Sequence, residues 1–390
     1  MMYYAGTVVG VFFVVVAILL AQISLHKRKL EILFKKNKLT IYTKRDLVKY
    51  TNNFTKPLGA GRFGTVYEGT LSPDLKKNEG TLSRDKTIVA VKVSNNTTPM
   101  VNNGTSIKQE FIHEVEIQGQ MIHKNILKLL GCCLEDKKPM LVYQFAAKGS
   151  LHDFLHKEGT RELIIPLTVR LDIAIGAAEG LKYMHMDIDE AIRHGDVKPG
   201  NILLDDKLTP KISDFGLSRL LLRPEFVEDV VGAMGYMDPA YLHRGLKSVK
   251  NDVYSFGVVL LELITRKTIQ LCGEGQHTRS HLVDEYHKVC EKQKTGKAMF
   301  DNDITEPEGN IFILEEIGNL ALKCLKDDAN DRPDMKYVQQ QLEKLRNHMS
   351  SGKGQDTSPH HFEDINEDDF PSNNTDITSS RSAVPLLPKK

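Results

Sequence analysis

The sequence predicts an α+β domain, strand-rich first and helix-rich after, behind a single apolar membrane-spanning helix. Three observations carry this. Residues 54–145 hold short β-favouring runs separated by glycines and polar turns. From Pro166 onward, apolar residues recur at helical spacing. Ahead of both, Ala5 to Leu25 is almost wholly apolar and uncharged.

That first stretch reaches about 30 Å as a helix, roughly one hydrocarbon core. His26, Lys27, Arg28 and Lys29 follow at once, then Lys35, Lys36 and Lys38, while only uncharged Met1 to Tyr4 precede it. The positive-inside bias therefore places the bulk of the chain in the cytosol, at a cell membrane crossed once. A cleaved signal peptide wants a basic start and a shorter apolar core, and here the basic cluster lies on the wrong side. The boundaries are read as a short extracellular 1–4, a transmembrane helix at 5–25 and a basic juxtamembrane segment at 26–52. Those lysines are expected to meet anionic lipid. No ectodomain is expected, so either a ligand-binding co-receptor senses for the chain or the chain is a truncated version of a longer receptor.

Composition removes other classes. The 390 residues hold 52 basic and 51 acidic side chains, a net charge of +1, so no nucleic-acid footprint exists. Five cysteines without a C-x-x-C spacing suggest neither a zinc site nor a disulfide framework. Buried reduced thiols are the simpler reading.

Next comes Gly59-Ala-Gly61-Arg-Phe-Gly64-Thr-Val66. Alone, this G-x-G-x-x-G also fits a dinucleotide loop, but that loop must run into a helix. Here Gly64 runs into alternating, β-favouring Thr65 to Gly69, so a glycine-rich hairpin over phosphates is predicted. Ile88 to Val93 is a buried strand carrying one lysine, Lys92. A lysine there needs partners, and a phosphate plus a helix carboxylate supplies them. The helix predicted over 106–121 offers Glu110, Glu114 and Glu116, and spacing alone does not choose among them. Strands are predicted at 126–130 and 140–145.

The stretch His194 to Gly216, HGDVKPGNILLDDKLTPKISDFG, carries the chemistry. A carboxylate such as Asp196 can accept a hydroxyl's proton. A carboxylate plus an amide, Asp214 and Asn201, can hold Mg²⁺, a hard ion that prefers oxygen. Two short apolar runs between them, bounded by Asp205, Asp206 and Pro210, read as a hairpin.

In this order the motifs resemble a eukaryotic protein kinase over residues 53–347, with an N-lobe at 53–145 and a C-lobe at 146–347. The phrases Asn125 to Cys133, Leu141-Val-Tyr143, HGDVK at 194–198 and Asn251 to Glu262 are most similar to plant receptor-like Ser/Thr kinases, in particular the wall-associated receptor kinase-like group. The resemblance implies a two-lobed fold, β-rich N-lobe and helical C-lobe. It implies ATP and Mg²⁺, with Mn²⁺ as the alternative metal, and a protein substrate. Gly59, Gly61 and Gly64 would cover the phosphates. Lys92 would hold them and pair with Glu114. Leu58, Val66, Ala90 and Leu203 would enclose adenine, with Tyr143 as gatekeeper and Gln144 to Ala146 as hinge. Asp196 would be the catalytic base, Lys198 would neutralise the γ-phosphate, and Asn201 and Asp214 would hold metal. Asp252 resembles the family's brace for the catalytic loop.

Four departures matter. Gly195 stands where an Arg receives a phosphorylated activation loop. Between Gly216 and Pro239 the only hydroxyls are Ser218 and Tyr236, so activity is not expected to depend on loop phosphorylation. The resemblance puts a Thr at Ala233, bridging Asp196 and Lys198, and a Glu at Ala240, pairing with Arg332. Arg332 is therefore expected to be solvated or paired elsewhere. Gln118 is polar where the family is apolar, which is expected to loosen the helix. These departures keep a second reading open, a nucleotide-binding scaffold that regulates a partner kinase. Helices are predicted at 166–184, 253–264, 311–325 and 335–345, and the Ser-, Asp- and Asn-rich tail at 348–390 is expected to be disordered.

Overall fold

A computed structural model describes residues 34–35, 38–61, 64–71, 86–94, 107–133, 135, 139–156, 164–220, 225–226, 232–269 and 281–351. The apolar stretch 5–25, residues 72–85 and 95–106, and the tail from 352 lie outside the described residues. Among the described residues no helix is long and apolar enough to cross a membrane.

The strand-rich part builds a six-stranded sheet, ordered β1-β5-β6-β4-β3-β2. Strand β1 is Thr40–Ile41, and helix α1, Lys44–Tyr50, follows behind a capping box from Thr43 to Asp46. Then come β2 (Pro57–Gly61), β3 (Gly64–Leu71) and β4 (Thr87–Ser94). Helix α2 is Ile107–Gln118, and β5 (Leu129–Cys133) and β6 (Met140–Gln144) complete the sheet. The hairpin after the glycines is present: β2 and β3 are antiparallel. A dinucleotide loop is thereby excluded.

Two features differ from the sequence reading. The strand predicted at 126–130 begins at Leu129, because Asn125 and Ile126 are held by the distant strand Pro210–Ile212. Ile212 N donates to Asn125 O at 2.8 Å, and Ile126 bridges to Ile212. Residues 40–50 also join the sheet. Strand β1 runs parallel to β5, and Leu47 and Tyr42 are buried against Val89, Val91 and Val142. A side chain at Gly131 would collide with the Thr40 carbonyl. Glycine there is what lets β1 approach.

The second part is helical around α6. It contains β7 (Gly149–Ser150), α3 (Leu151–His156), α4 (Leu167–Met186), β8 (Ile192–Arg193), β9 (Ile202–Leu204) and β10 (Pro210–Ile212). Strands β11 (Arg219–Leu220) and β12 (Glu225–Phe226), helix α5 (Pro239–Arg244) and β13 (Leu246–Lys247) precede α6, Val249–Thr265. Helices α7 (His281–Gln293), α8 (Gly309–Cys324) and α9 (Met335–Ser351) close the lobe. Strands β9 and β10 form the predicted hairpin. Nearly all of α6 is buried, so its apolar run reads on every face rather than one stripe. Cys132, Cys133 and Cys324 are buried, and Cys290 is half-buried.

Arg332 is paired elsewhere. Its Nη1 and Nη2 donate to the Asp238 carboxylate at 2.6 and 2.8 Å, and both side chains are fully buried. Asp238 also accepts Asn251 Nδ2 at 2.7 Å and caps α5 at Ala240 N. The expected partner position, Ala240, is thus replaced by a carboxylate two residues earlier. Breaking such a buried pair is expensive, about 3–5 kcal/mol. Asp238→Ala is expected to lower the urea unfolding free energy by about that amount. Adding Arg332→Met should recover most of it. A single variant as stable as the parent would refute the assignment.

Candidate active site

Lys92 lies mid-strand on β4, opposite Val66 and Leu141 in the register. Its Nζ sits 3.0 Å from Glu114 Oε2, 3.1 Å from Glu114 Oε1 and 2.9 Å from Asp214 Oδ1. Among the three acids of α2 the structure therefore chooses Glu114. Burial opposes the charge on Lys92, but the two carboxylates prevail and hold its pKa above the ordinary lysine value. Asp214 is half-buried, and Lys92 keeps its carboxyl below the usual range despite the partial loss of solvent. Lys92 and Asp214 therefore stay ionised at neutral pH.

Tyr143, expected as gatekeeper, lies on β6 beside this cluster and has a second role. Its hydroxyl donates to Glu114 Oε1 at 2.5 Å. Burial and the neighbouring carboxylate push the phenol well above its ordinary pKa, so it remains a donor. Glu114 is thus held from two sides. Ala90 and Leu203 pack around Tyr143, Leu129 and Val115. Three residues expected around adenine, Ala90, Tyr143 and Leu203, are brought together. Val66 lies across the strand pair from Lys92, while Leu58, on the outer strand, is exposed and not part of that cluster. Gly59 pairs with Val66, and Gly61 with Gly64. Gln144 is exposed at the end of β6, with Ala146 half-buried beyond it.

The second cluster centres on Asp196. Lys198 Nζ donates to its Oδ2 at 2.6 Å, and Asn201 Nδ2 donates to the same oxygen at 2.8 Å. Oδ1 accepts the backbone N–H of Ala233 at 3.1 Å. This contact answers the missing threonine: a backbone donor reaches Asp196 where a hydroxyl was expected. Asn201 spends its amide nitrogen on Asp196, so its carbonyl oxygen remains the metal-type donor. Asp214 bonds Lys92 through Oδ1 alone, and its left-handed backbone (φ 64°) aims the carboxylate from a turn that few non-glycine residues adopt. Two oxygen donors on adjoining turns suit a hard divalent cation.

Asp252 braces the loop that carries Asp196. It accepts His194 N at 2.7 Å, Gly195 N at 2.8 Å and His185 Nε2 at 2.9 Å. Gly195 has φ +85°, and a side chain there would meet Arg193 Nη2 at 2.9 Å and Leu217 O at 3.1 Å. Glycine is needed for both reasons. The Arg193 guanidinium occupies that space, stacked 4.9 Å from the Tyr241 ring centre. The two loop hydroxyls are committed. Ser218 is fully buried and donates to His194 O at 3.1 Å, and Tyr236 donates to Glu262 Oε1 at 2.6 Å. Gln118 is buried, with Nε2 donating to Leu127 O at 2.6 Å, but its Oε1 has no partner among the described residues. One bond anchors the helix end, and one polar atom is left without a partner there.

Residues 52–342 match the family of protein tyrosine and serine/threonine kinases, and the chain belongs to it. Such domains use ATP with a divalent metal. The chain is similar to wall-associated receptor kinase 3 of Arabidopsis thaliana, 36% identical over 329 residues, spanning 83% of this chain and 41% of that protein. Wall-associated receptor kinase 1 of the same plant is 36% identical over 329 residues, 83% of this chain and 42% of its own length. Wall-associated receptor kinase-like 20 is 36% identical over 324 residues, 80% of this chain and 46% of that protein. The chain therefore spans less than half the length of these relatives.

Asp252 links this site to acid stability. Burial raises its carboxyl, yet bonding from His185 and nearby positive charge hold it below the ordinary value. A depressed folded pKa adds stability that is complete above the unfolded value, about 4, and is lost as pH falls through the folded value. Thermal melts between pH 2 and pH 6 are therefore expected to fall more steeply for the parent than for Asp252→Asn. Parallel curves would contradict this account.

Proposed function

We propose that the chain is a membrane-anchored receptor-like kinase that transfers the ATP γ-phosphate to Ser or Thr hydroxyls of protein substrates. The observation that carries this reading is Lys92 held between Glu114 and Asp214, beside the Asp196–Lys198–Asn201 cluster. Phosphoryl transfer needs positioning and charge neutralisation more than covalent chemistry. A fixed buried cation supplies the neutralisation without reorganising. Glu114 and Tyr143 fix where that cation points.

Asp196 accepts the proton of the substrate hydroxyl. Lys198 and Asn201 keep its carboxylate oriented, and the Ala233 N–H holds the other oxygen. Asn201 and Asp214 would hold Mg²⁺, which supplies charge neutralisation between phosphate oxygens when bound; Mn²⁺ suits the same donors. Gly59, Gly61 and Gly64 cover the phosphates with backbone. Ala90, Leu203, Val66 and Leu58 enclose adenine, with the hinge at Gln144 to Ala146. The Lys198-Pro199 pair after Asp196-Val197 resembles the Ser/Thr form of the kinase loop, which supports Ser/Thr rather than Tyr as acceptor.

The membrane anchor rests on the uncharged stretch 5–25 and the basic cluster after it. It puts the kinase domain on the cytoplasmic face, with lipid and a ligand-binding co-receptor as partners. The names of the similar plant proteins agree with a receptor context.

With Mg-ATP and a generic protein substrate, the full chain is expected to transfer label. Lys92→Met should lower the rate at least about a hundredfold, the scale of losing one electrostatic stabiliser. Thermal stabilisation by nucleotide without any label transfer would instead establish the scaffold reading.

A further inference from the structure

Away from the nucleotide site, helix α3 sets His152 and His156 one turn apart, so both rings lie on one face. Their centroids are 5.1 Å apart. That face meets Glu262 near the end of α6. Glu262 is fully buried, with Tyr236 Oη donating to Oε1 at 2.6 Å and His156 Nε2 lying 3.1 Å from Oε2. Among the described residues no lysine or arginine bonds this carboxylate. A buried carboxylate without a fixed cation is costly.

We propose that His152, His156 and Glu262 form a divalent transition-metal site, best suited to Zn²⁺. Two imidazoles and one carboxylate are a zinc ligand set with one position left for water. One ligand atom from each residue lies within 4.8 Å of the others. Tetrahedral bonds of about 2.0–2.1 Å put neighbouring ligands roughly 3.3 Å apart. The 3.1 Å between His156 Nε2 and Glu262 Oε2 already matches that edge. The ion takes the place of the hydrogen between them, and the imidazole proton shifts to Nδ1. His152 is exposed, so a rotamer change closes the third edge and the ion has a route in. The Tyr236 hydroxyl on Oε1 is the outer bond that orients the carboxylate. An ion here ties α3 to α6 and, through Tyr236, to the segment leading into Asp238 and α5. The inference stands on this geometry and not on the kinase reading.

The test uses the full chain in detergent, stripped by chelator, with Co²⁺ as a spectroscopic probe and Zn²⁺ as competitor. One Co²⁺ per chain is expected, with the intense visible bands of a four- or five-coordinate ion, bleached by an equivalent of Zn²⁺. His152→Ala, an exposed change, should leave the metal-free melting temperature unaltered and weaken binding at least about tenfold, since loss of even an outer-shell partner costs about 10–100-fold. Asp214→Asn should leave the bands intact, which separates this site from the nucleotide metal. Absence of such bands, an octahedral spectrum, or binding unchanged in His152→Ala would overturn the proposal.

Discussion

A buried lysine must have anionic partners, and the placement of Lys92 constrains everything around it. The strand β4 carries it inside the sheet, so its charge must be met from other elements. Glu114 comes from α2 and Asp214 from the turn after β10. Once both are drawn in, α2 is fastened to the sheet and the β9–β10 hairpin is fastened to α2. The Tyr143 hydroxyl adds a third strand to the same knot. The groups of this cluster are thus assembled by a charge requirement rather than by local propensity.

The other half of the site is fixed by a carboxylate that does no chemistry. Asp252 gathers two backbone N–H groups and His185, and so shapes the turn on which Asp196 stands. His194 links that turn onward, with its ring against Ser213 O and edge-on to Phe215. Each charged group in the site therefore has a buried partner that can be named. The Ala233 amide shows how a lost side-chain hydroxyl can be covered by backbone at the same distance range.

Much of this was legible in the chain itself. The glycine hairpin, the lysine in an apolar strand and the paired acids around a short hairpin all express local rules of period, turn chemistry and charge. What was not legible depends on contacts far apart in sequence. Glu110, Glu114 and Glu116 look alike until the helix is docked. Asp238 as the partner of Arg332 bridges 94 positions, and nothing in local spacing distinguishes it from Ala240's missing carboxylate. Nor does spacing reveal that residues 40–50 pack on the sheet, since a two-residue strand has no period to detect.

Gly195 changed meaning most. Read alone it deletes a phosphate receiver. In the fold it is a positive-φ turn braced by Asp252, pressed against Arg193, with Ser218 and Tyr236 already bonded in the interior. The Lys92 knot is closed without a loop phosphate. The most direct measurement compares the initial transfer rate of phosphatase-treated and untreated protein at saturating Mg-ATP. The account predicts equal rates. A fall of about tenfold or more, some 1.4 kcal/mol in the barrier, would contradict it.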